Sequence, residues 1–459
     1  MNGTRISPEG PVHVVVDPET NDGGDDASLV TAAGASVIMH TAAVTTAPDT
    51  TSETPERSIA RMGQALRNSD FRLFWAGNFL SNIGTWMQNV AQGWLVLKLT
   101  NSAVWLGLVG FASTIPILFL ALIGGVIADR VNNRKLLIGT QSVMMLSAFA
   151  MAVLTWSHQI TAHRILWLAI VTGLSMSLNT PSYQALVPQL VPREDLTNAI
   201  ALNSAQFNMS RVIGPTLGGF AMALVGEGGN FFLNGLSFLA VIVALTRIRY
   251  PGRAQMEEGH LWDKLKQGFD YVFHHEQMSP LIALTAIASL LAVPYLVFVP
   301  YFARDLLHSG EPGLGILMAC SGVGAFFGAV TIAYAGRLRR RGYVVVRFGV
   351  AFYASIILFS FSRNFWLSGL LLACAGYSMV LMIATVNALL QLLAEESMRG
   401  RVMSIYSTAF LGMPPIGSLA TALLARIVTP AHAIATMSAL ALLATWAVFA
   451  GNDVLPDLD

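Results

Sequence analysis

Few residues in this 459-residue chain have the type and surroundings to do chemistry, and what they offer is charge pairing and hydrogen bonding. The run Gly124-Gly125-Val126-Ile127-Ala128-Asp129-Arg130-Val131-Asn132-Asn133-Arg134-Lys135 sets one carboxylate among three cations between two long apolar segments. Further on, Arg211-Val212-Ile213-Gly214-Pro215-Thr216-Leu217-Gly218-Gly219 carries a single cation inside an apolar stretch. Asn78, Asn82, Thr85, Asn89 and Gln92 recur at spacings of 4, 3, 4 and 3, which puts them on one helical face. No nucleophile–base pair, metal-ligating cluster or cofactor loop emerges, and no GxxxxGK[ST] phosphate loop is present. An enzyme, a bound cofactor and an ATP-driven pump are therefore not expected. Cys320 and Cys374 lie in apolar segments without CxxC or Cys/His context and read as buried thiols.

The elements that must position these residues follow from composition. Hydrophobic residues make up 54% of the chain and charged residues 12%, about half the soluble norm, so most of the surface faces lipid. From Leu73 the chain reads as twelve apolar spans, near the length of about 20 residues that a bilayer requires. They lie at 73–97, 103–128, 135–157, 165–188, 198–225, 230–248, 280–303, 313–335, 343–361, 366–392, 401–426 and 431–450. The expected fold is an all-α membrane protein, with six-helix bundles at 65–248 and 280–450. Residues 1–60 read as a disordered tail and 451–459 as a short one. The stretch 249–279 reads as a linker whose second part forms an amphipathic helix, lying on the membrane surface or packed on the bundle.

Charge supports that division. With a cytoplasmic N-terminus, twenty Lys and Arg fall on the cytoplasmic side and five, Lys98, Arg164, Arg304, Arg363 and Arg426, on the other. Both termini are then cytoplasmic, in the plasma membrane. A net charge of +1 gives no support for nucleic-acid binding. Internal similarity points the same way. Ser204 to Phe207 aligns with Ser407 to Phe410 at an offset of 203, which sets Gly214 on Gly417, and Arg130 aligns with Arg337. Two parallel six-helix halves place a cavity at their interface.

The run Gly125-x-x-x-Asp129-Arg130-x-x-x-Arg134-Lys135 resembles the signature loop of the major facilitator superfamily, and Gly214-Pro215-x-x-Gly218-Gly219 resembles the motif associated with its exporters. The opening Ser69-Asp70-Phe71-Arg72-Leu73-Phe74-Trp75 is similar to bacterial exporters of the enterobactin and antibiotic-efflux type. The resemblance implies a monomeric secondary transporter that moves a drug-, antibiotic- or siderophore-like molecule outward by alternating access, with proton antiport. An uptake carrier and a non-transporting scaffold of the same fold are the alternatives. No Asp or Glu lies at mid-depth in a span, so the sequence does not show a proton carrier.

The same resemblance sets the neighbour of Asp129, whose position at a helix C-terminus is unfavourable for an anion. Its partner is either local, Arg130 or Arg134, or the start of span eleven near Gly400 and Arg401, which the resemblance makes adjacent in the outward-facing state. The second-half loop has Gly336 where a carboxylate would fall, so any such latch is one-sided. Gly214, Pro215, Gly218 and Gly219 form either a seam that restrains leak between the halves or ordinary small-residue packing. Arg211, about 20 Å into its span, either meets an anionic group of a substrate or is a structural cation held by carbonyls and amides. Asn78, Asn82, Asn89, Gln92, Asn203, Gln206, Asn387 and Gln391 are the candidate lining of the substrate path.

Overall fold

The computed structural model describes residues 63–249, 267, 269–335, 340–452, 455 and 458, with side chains described throughout except at 121–130, 333 and 335. The 1–60 tail, most of the 249–279 linker with the first part of its amphipathic segment, the Arg337 loop and part of the 451–459 tail lie outside the described residues, while 269–273 of that segment are helical.

Among the described residues the spans are helical and no strand occurs. Ten helices are long and apolar enough to cross a membrane, by length and composition. One of them, Leu196–Arg247, breaks at Gly226 (φ 69°, ψ 178°) and turns back, as the Asn230 Nδ2 hydrogen bond to the Gly218 carbonyl (2.9 Å) requires. That backbone lies in the left-handed region, which glycine adopts without a Cβ penalty. The first helix, Ser69–Thr100, has 32 residues, but its polar stripe lowers its hydropathy. Counted this way, the spans number twelve: α1 Ser69–Thr100, α2 Ala103–Arg130, α3 Asn133–Trp156, α4 Ala162–Leu186, α5 196–225 and α6 227–247 in the first half. The second half holds α7 Met278–Leu306, α8 Gly310–Ala335, α9 Arg341–Phe361, α10 Phe365–Leu393, α11 Arg399–Leu424 and α12 Pro430–Ala450.

Local chemistry fixes several helix starts. The Asn68 side chain accepts from the backbone N–H of Asp70 (3.1 Å) and Phe71 (3.4 Å), which starts α1 four residues before its apolar run. Asn132, Thr161, Asn364 and Thr429 cap α3, α4, α10 and α12 in the same manner. The span expected as one helix at 280–303 is instead interrupted. The chain α-helix Met278–Ile287, π-turn Ala288–Ala292, helix Tyr295–Tyr301 and π-turn Phe302–Leu306 contains Pro294, which lacks a donor N–H. The cysteines depart from expectation as well: Cys320 is half-buried and Cys374 is exposed, because its side of α10 turns outward from the bundle.

The halves repeat their packing. Helix α2 lies on α4 as α8 lies on α10, and α3 packs on α4 as α9 does on α10. Between the halves α5 packs along α8 and α11 along α2, an exchange related by six helices. The aligned glycines follow suit. A Cβ at Gly214 would sit 2.9 Å from the Ile83 carbonyl of α1, and one at Gly417 would sit 2.7 Å from Pro294 of α7.

The two ends of the bundle differ. Call the end where α1 begins the near end. At the far end one buried cluster joins both halves, with Trp94, Leu95 and Leu97 of α1 beside Phe298 and Phe302 of α7. At the near end Phe71, Phe74, Leu137, Leu186, Leu190 and Leu245 form a separate cluster drawn from the first half. The close inter-half approaches at described glycines lie from mid-span to the far end: Gly93 to Pro300, Gly107 to the Ser418 carbonyl, Gly219 to Gly315 and Gly412 to Leu118.

Candidate functional site

The exporter-like motif occupies a three-helix seam. Gly214 and Gly218 face α1, with a Cβ at Gly218 falling 2.9 Å from Met87 Cα. Gly219 faces α8, where a Cβ would meet the Glu311 carbonyl at 2.7 Å and Gly315 Cα at 2.9 Å. The Pro215 carbonyl opposes Gly315 at 2.7 Å from an added Cβ. Only hydrogen at these positions lets three backbones converge. The motif thus touches its own half and the other half within two helical turns.

The α1 stripe lies on the side of the helix that carries Gly93, which packs on Pro300 of α7. Asn78, Asn82 and Gln92 are half-buried and Asn89 is exposed. Their amides make no hydrogen bond to protein groups among the described residues, whereas Thr85 bonds back to the Ser81 carbonyl at 2.9 Å. These amides thus have neither partners among the described residues nor full burial.

Asn203 and Gln206 are placed differently. They are buried (8% and 1% exposed), and both polar atoms of each amide lack a partner. Ser210, one turn on, bonds the Gln206 carbonyl at 2.9 Å. Their face of α5 points into the first bundle, while Asn208, half-buried, lies nearer the α8 side. Asn387 is fully buried. It accepts from Gln391 Nε2 at 2.6 Å and lies beside Tyr406, whose hydroxyl donates to the Ile383 carbonyl at 3.1 Å. This cluster joins α10 to α11 inside the second half.

Arg211 is 9% exposed at the junction of α1, α5, α7 and α8. Its guanidinium carbon lies 6.0 Å from the Trp86 ring centroid, within electrostatic reach of the Tyr295 hydroxyl. Tyr295 shares a 3.0 Å hydrogen bond with Ser321. Of the signature loop, the side chains of Gly125, Asp129 and Arg130 lie outside the described residues. Arg134 Nε and Nη2 donate to the Leu245 and Thr246 carbonyls, both at 2.6 Å, at the C-terminal end of α6. Arg401 directs Nη1 to Met398 Sδ at 2.8 Å.

Three features were not anticipated from the sequence. Gln88, beside the stripe on the flank of α1 that meets α6, accepts from Asn234 Nδ2 (2.7 Å), and Ser237 donates to Asn234 Oδ1 (2.9 Å). The i, i+3 pair Asn234 and Ser237 was the available signal. Asn179 Oδ1 accepts from Thr140 and Gln141, both at 3.1 Å, and ties α4 to α3. At the far end Arg304 bonds the Leu97 carbonyl of α1 at 2.7 Å while pairing with Asp305 at 2.8 Å, a strut across the halves.

Residues 63–458 match the family described as transmembrane secretion effector. The chain is 24% identical over 361 residues to the staphyloferrin A transporter of Staphylococcus aureus, spanning 78% of this chain and 89% of that one. It is 25% identical over 338 residues to the multidrug efflux pump Tap of Mycolicibacterium fortuitum (72% and 82% covered). It is 26% identical over 365 residues to the enterobactin exporter EntS of Salmonella typhi (78% and 86%). Among solved structures, the nucleoside transporter NupG superimposes with a TM-score of 0.66 at 12% identity, covering 83% of this chain and 98% of NupG. A POT family transporter in complex with 5-aminolevulinic acid gives 0.68 at 10% identity, with 84% and 96% covered.

Proposed function

Because the chain belongs to the transmembrane secretion effector family of the major facilitator superfamily, and is a multi-pass membrane transporter rather than an enzyme, we propose that it exports a small organic molecule by alternating access. The observation that carries the reading is the asymmetry of the bundle. Its halves share a buried core and glycine seams at the far end, while the unpartnered α1 stripe lies between them. With the near end cytoplasmic, as the twenty-to-five distribution of cations favours, this conformation receives its cargo from the cytoplasm. The membrane is then the plasma membrane, with both termini inside.

In the opposite state the far end opens and the near end closes. Leu118 of α2 meets Gly412 of α11, and Asp129 and Arg401 each lie eleven residues nearer the near end, about 16 Å along their helices. Equal depth on neighbouring helices makes the start of α11 the partner of Asp129 in that state, and their contact biases the two-state equilibrium. Arg134 donates to the end of α6 through Nε and Nη2, and Arg130 and Arg134 are the local alternatives to α11. The motif seam at Gly214, Pro215, Gly218 and Gly219 restrains leak at the closed end. The α1 stripe lines the cargo path, while Asn203, Gln206 and Asn387 act from inside their bundles and Gln391, half-buried, at the edge of its own.

The cargo is drug-, antibiotic- or siderophore-like, as with the relatives named above, and proton antiport is the coupling that the superfamily supplies. The test is accumulation of a compound panel in cells with and without the gene, repeated after the proton gradient is collapsed. Lower accumulation with the gene, lost on collapse, is expected. Higher accumulation would establish uptake, and no difference across the panel would favour a scaffold.

A further inference from the structure

Arg211 differs from the other cations of the bundle. Arg134 donates to two helix-terminal carbonyls, Arg304 to a carbonyl and a carboxylate, Arg72 to the Leu66 carbonyl and Arg164 to the Gln159 carbonyl. Each is thereby satisfied at a bundle end. Arg211 is nine-tenths buried and yet makes no hydrogen bond or ion pair among the described residues. The carbonyls and amides that a structural cation would need do not hold it. Acids are remote along every packed helix. From Gly322, which abuts the Arg211 carbonyl, Glu311 is eleven residues away, about 16 Å, and Asp305 is ten residues beyond Tyr295, about 15 Å. A buried guanidinium without a counter-charge is costly.

What surrounds it suits an incoming anion. The Trp86 ring lies 6.0 Å from the guanidinium carbon, and no described protein group accepts from its N–H donors. Tyr295 follows the Pro294 break in α7 and carries a hydroxyl whose present partner is another hydroxyl, Ser321. The Tyr295–Ser321 pair holds a proton that either oxygen can turn toward an acceptor. We propose that Arg211, with Tyr295 and Ser321, receives a carboxylate of the transported molecule where the two halves meet. Resting on the export reading, this adds a substrate class: compounds bearing a carboxylate beside an aromatic or apolar body that packs on Trp86. A guanidinium fork fits a carboxylate bidentately, which a lysine would not reproduce. The bound anion bridges α5 of one half to α7 and α8 of the other and so replaces the missing counter-charge only in the closed arrangement.

The test is thermal unfolding of the full chain in detergent, titrated with phthalate and with phthalamide at matched ionic strength. Phthalate stabilises the wild type and phthalamide does not. Arg211→Gln raises the phthalate concentration for the half-maximal shift by about 10- to 100-fold, the range of a charged hydrogen-bond pair. Arg211→Lys recovers part of it. Tyr295→Phe keeps the charge and raises it by a smaller factor, so the proposal stays testable if Arg211→Gln folds poorly. No phthalate shift in the wild type, an equal shift with phthalamide, or unchanged titration in both variants overturns the site. Expression-dependent efflux of the cation ethidium without any phthalate response would remove the site and leave export. A phthalate response without efflux of any compound would do the reverse.

Discussion

Gly219→Ala tests the seam that closes the far end. The added methyl would lie 2.7 Å from the Glu311 carbonyl oxygen and 2.9 Å from Gly315 Cα, both backbone atoms. Ordinary carbon contacts need about 3.5 Å or more, so α5 and α8 must part by nearly 1 Å. Overpacking of this kind costs about 1–3 kcal/mol. The methyl is harmless once the far end opens, so the whole cost falls on the closed state and shifts the two-state ratio by about 5- to 150-fold. The assay is a spin-label distance between Val225 and Ser309, with Cys320 and Cys374 replaced by serine. Both positions lie at the far ends of the two helices. The distribution moves to longer distances in Gly219→Ala, and export slows. Gly139→Ala, where no heavy atom lies within 4 Å of the added Cβ, is the control and leaves both unchanged. An unaltered distribution in Gly219→Ala, with normal export, would refute the claim that this seam closes the far end.

Other perturbations separate the remaining roles. Asp129→Asn lowers transport with little loss of protein from the membrane, measured as efflux normalised to membrane level; normal efflux would count against the latch. Arg304→Gln removes the strut to the Leu97 carbonyl and the Asp305 pair, and loosens the far end by roughly 1 kcal/mol, since the pair is partly exposed. The same spin-label pair reads this out. Asn234→Leu strands the buried Gln88 carbonyl oxygen and lowers the unfolding midpoint, at a cost of about 1–3 kcal/mol. Asn203→Leu and Gln206→Leu remove buried amides that have no partner, so stability holds or rises. A loss of binding in these two, with stability intact, would return them to the cargo path.

What the sequence revealed of this protein follows from what each signal depends on. Span length and the alternation of cations depend only on the bilayer, so the spans, and a break between 225 and 230, were readable to within a few residues. The α1 stripe was readable because its polar residues share a helical face. Depth around the bundle was not. A polar face left half-buried without protein partners, as at Asn78, and one packed into the bundle interior, as at Gln206, have the same spacing. The α7 break sits at Pro294, whose missing donor N–H is a local signal that the length of the apolar run masked. Partnerships such as Gln88 with Asn234, or Arg304 with the Leu97 carbonyl, join residues that only packing brings together.

Alternating access in the outward direction is tested most directly in everted membrane vesicles, whose cytoplasmic face is outside. A carboxylate-bearing fluorescent compound added with an imposed proton gradient should concentrate inside vesicles that carry the protein. That accumulation should fall in Asp129→Asn and Gly219→Ala and vanish when the gradient is collapsed. Accumulation only in right-side-out vesicles, or none in either orientation across a varied panel, would contradict export by this chain.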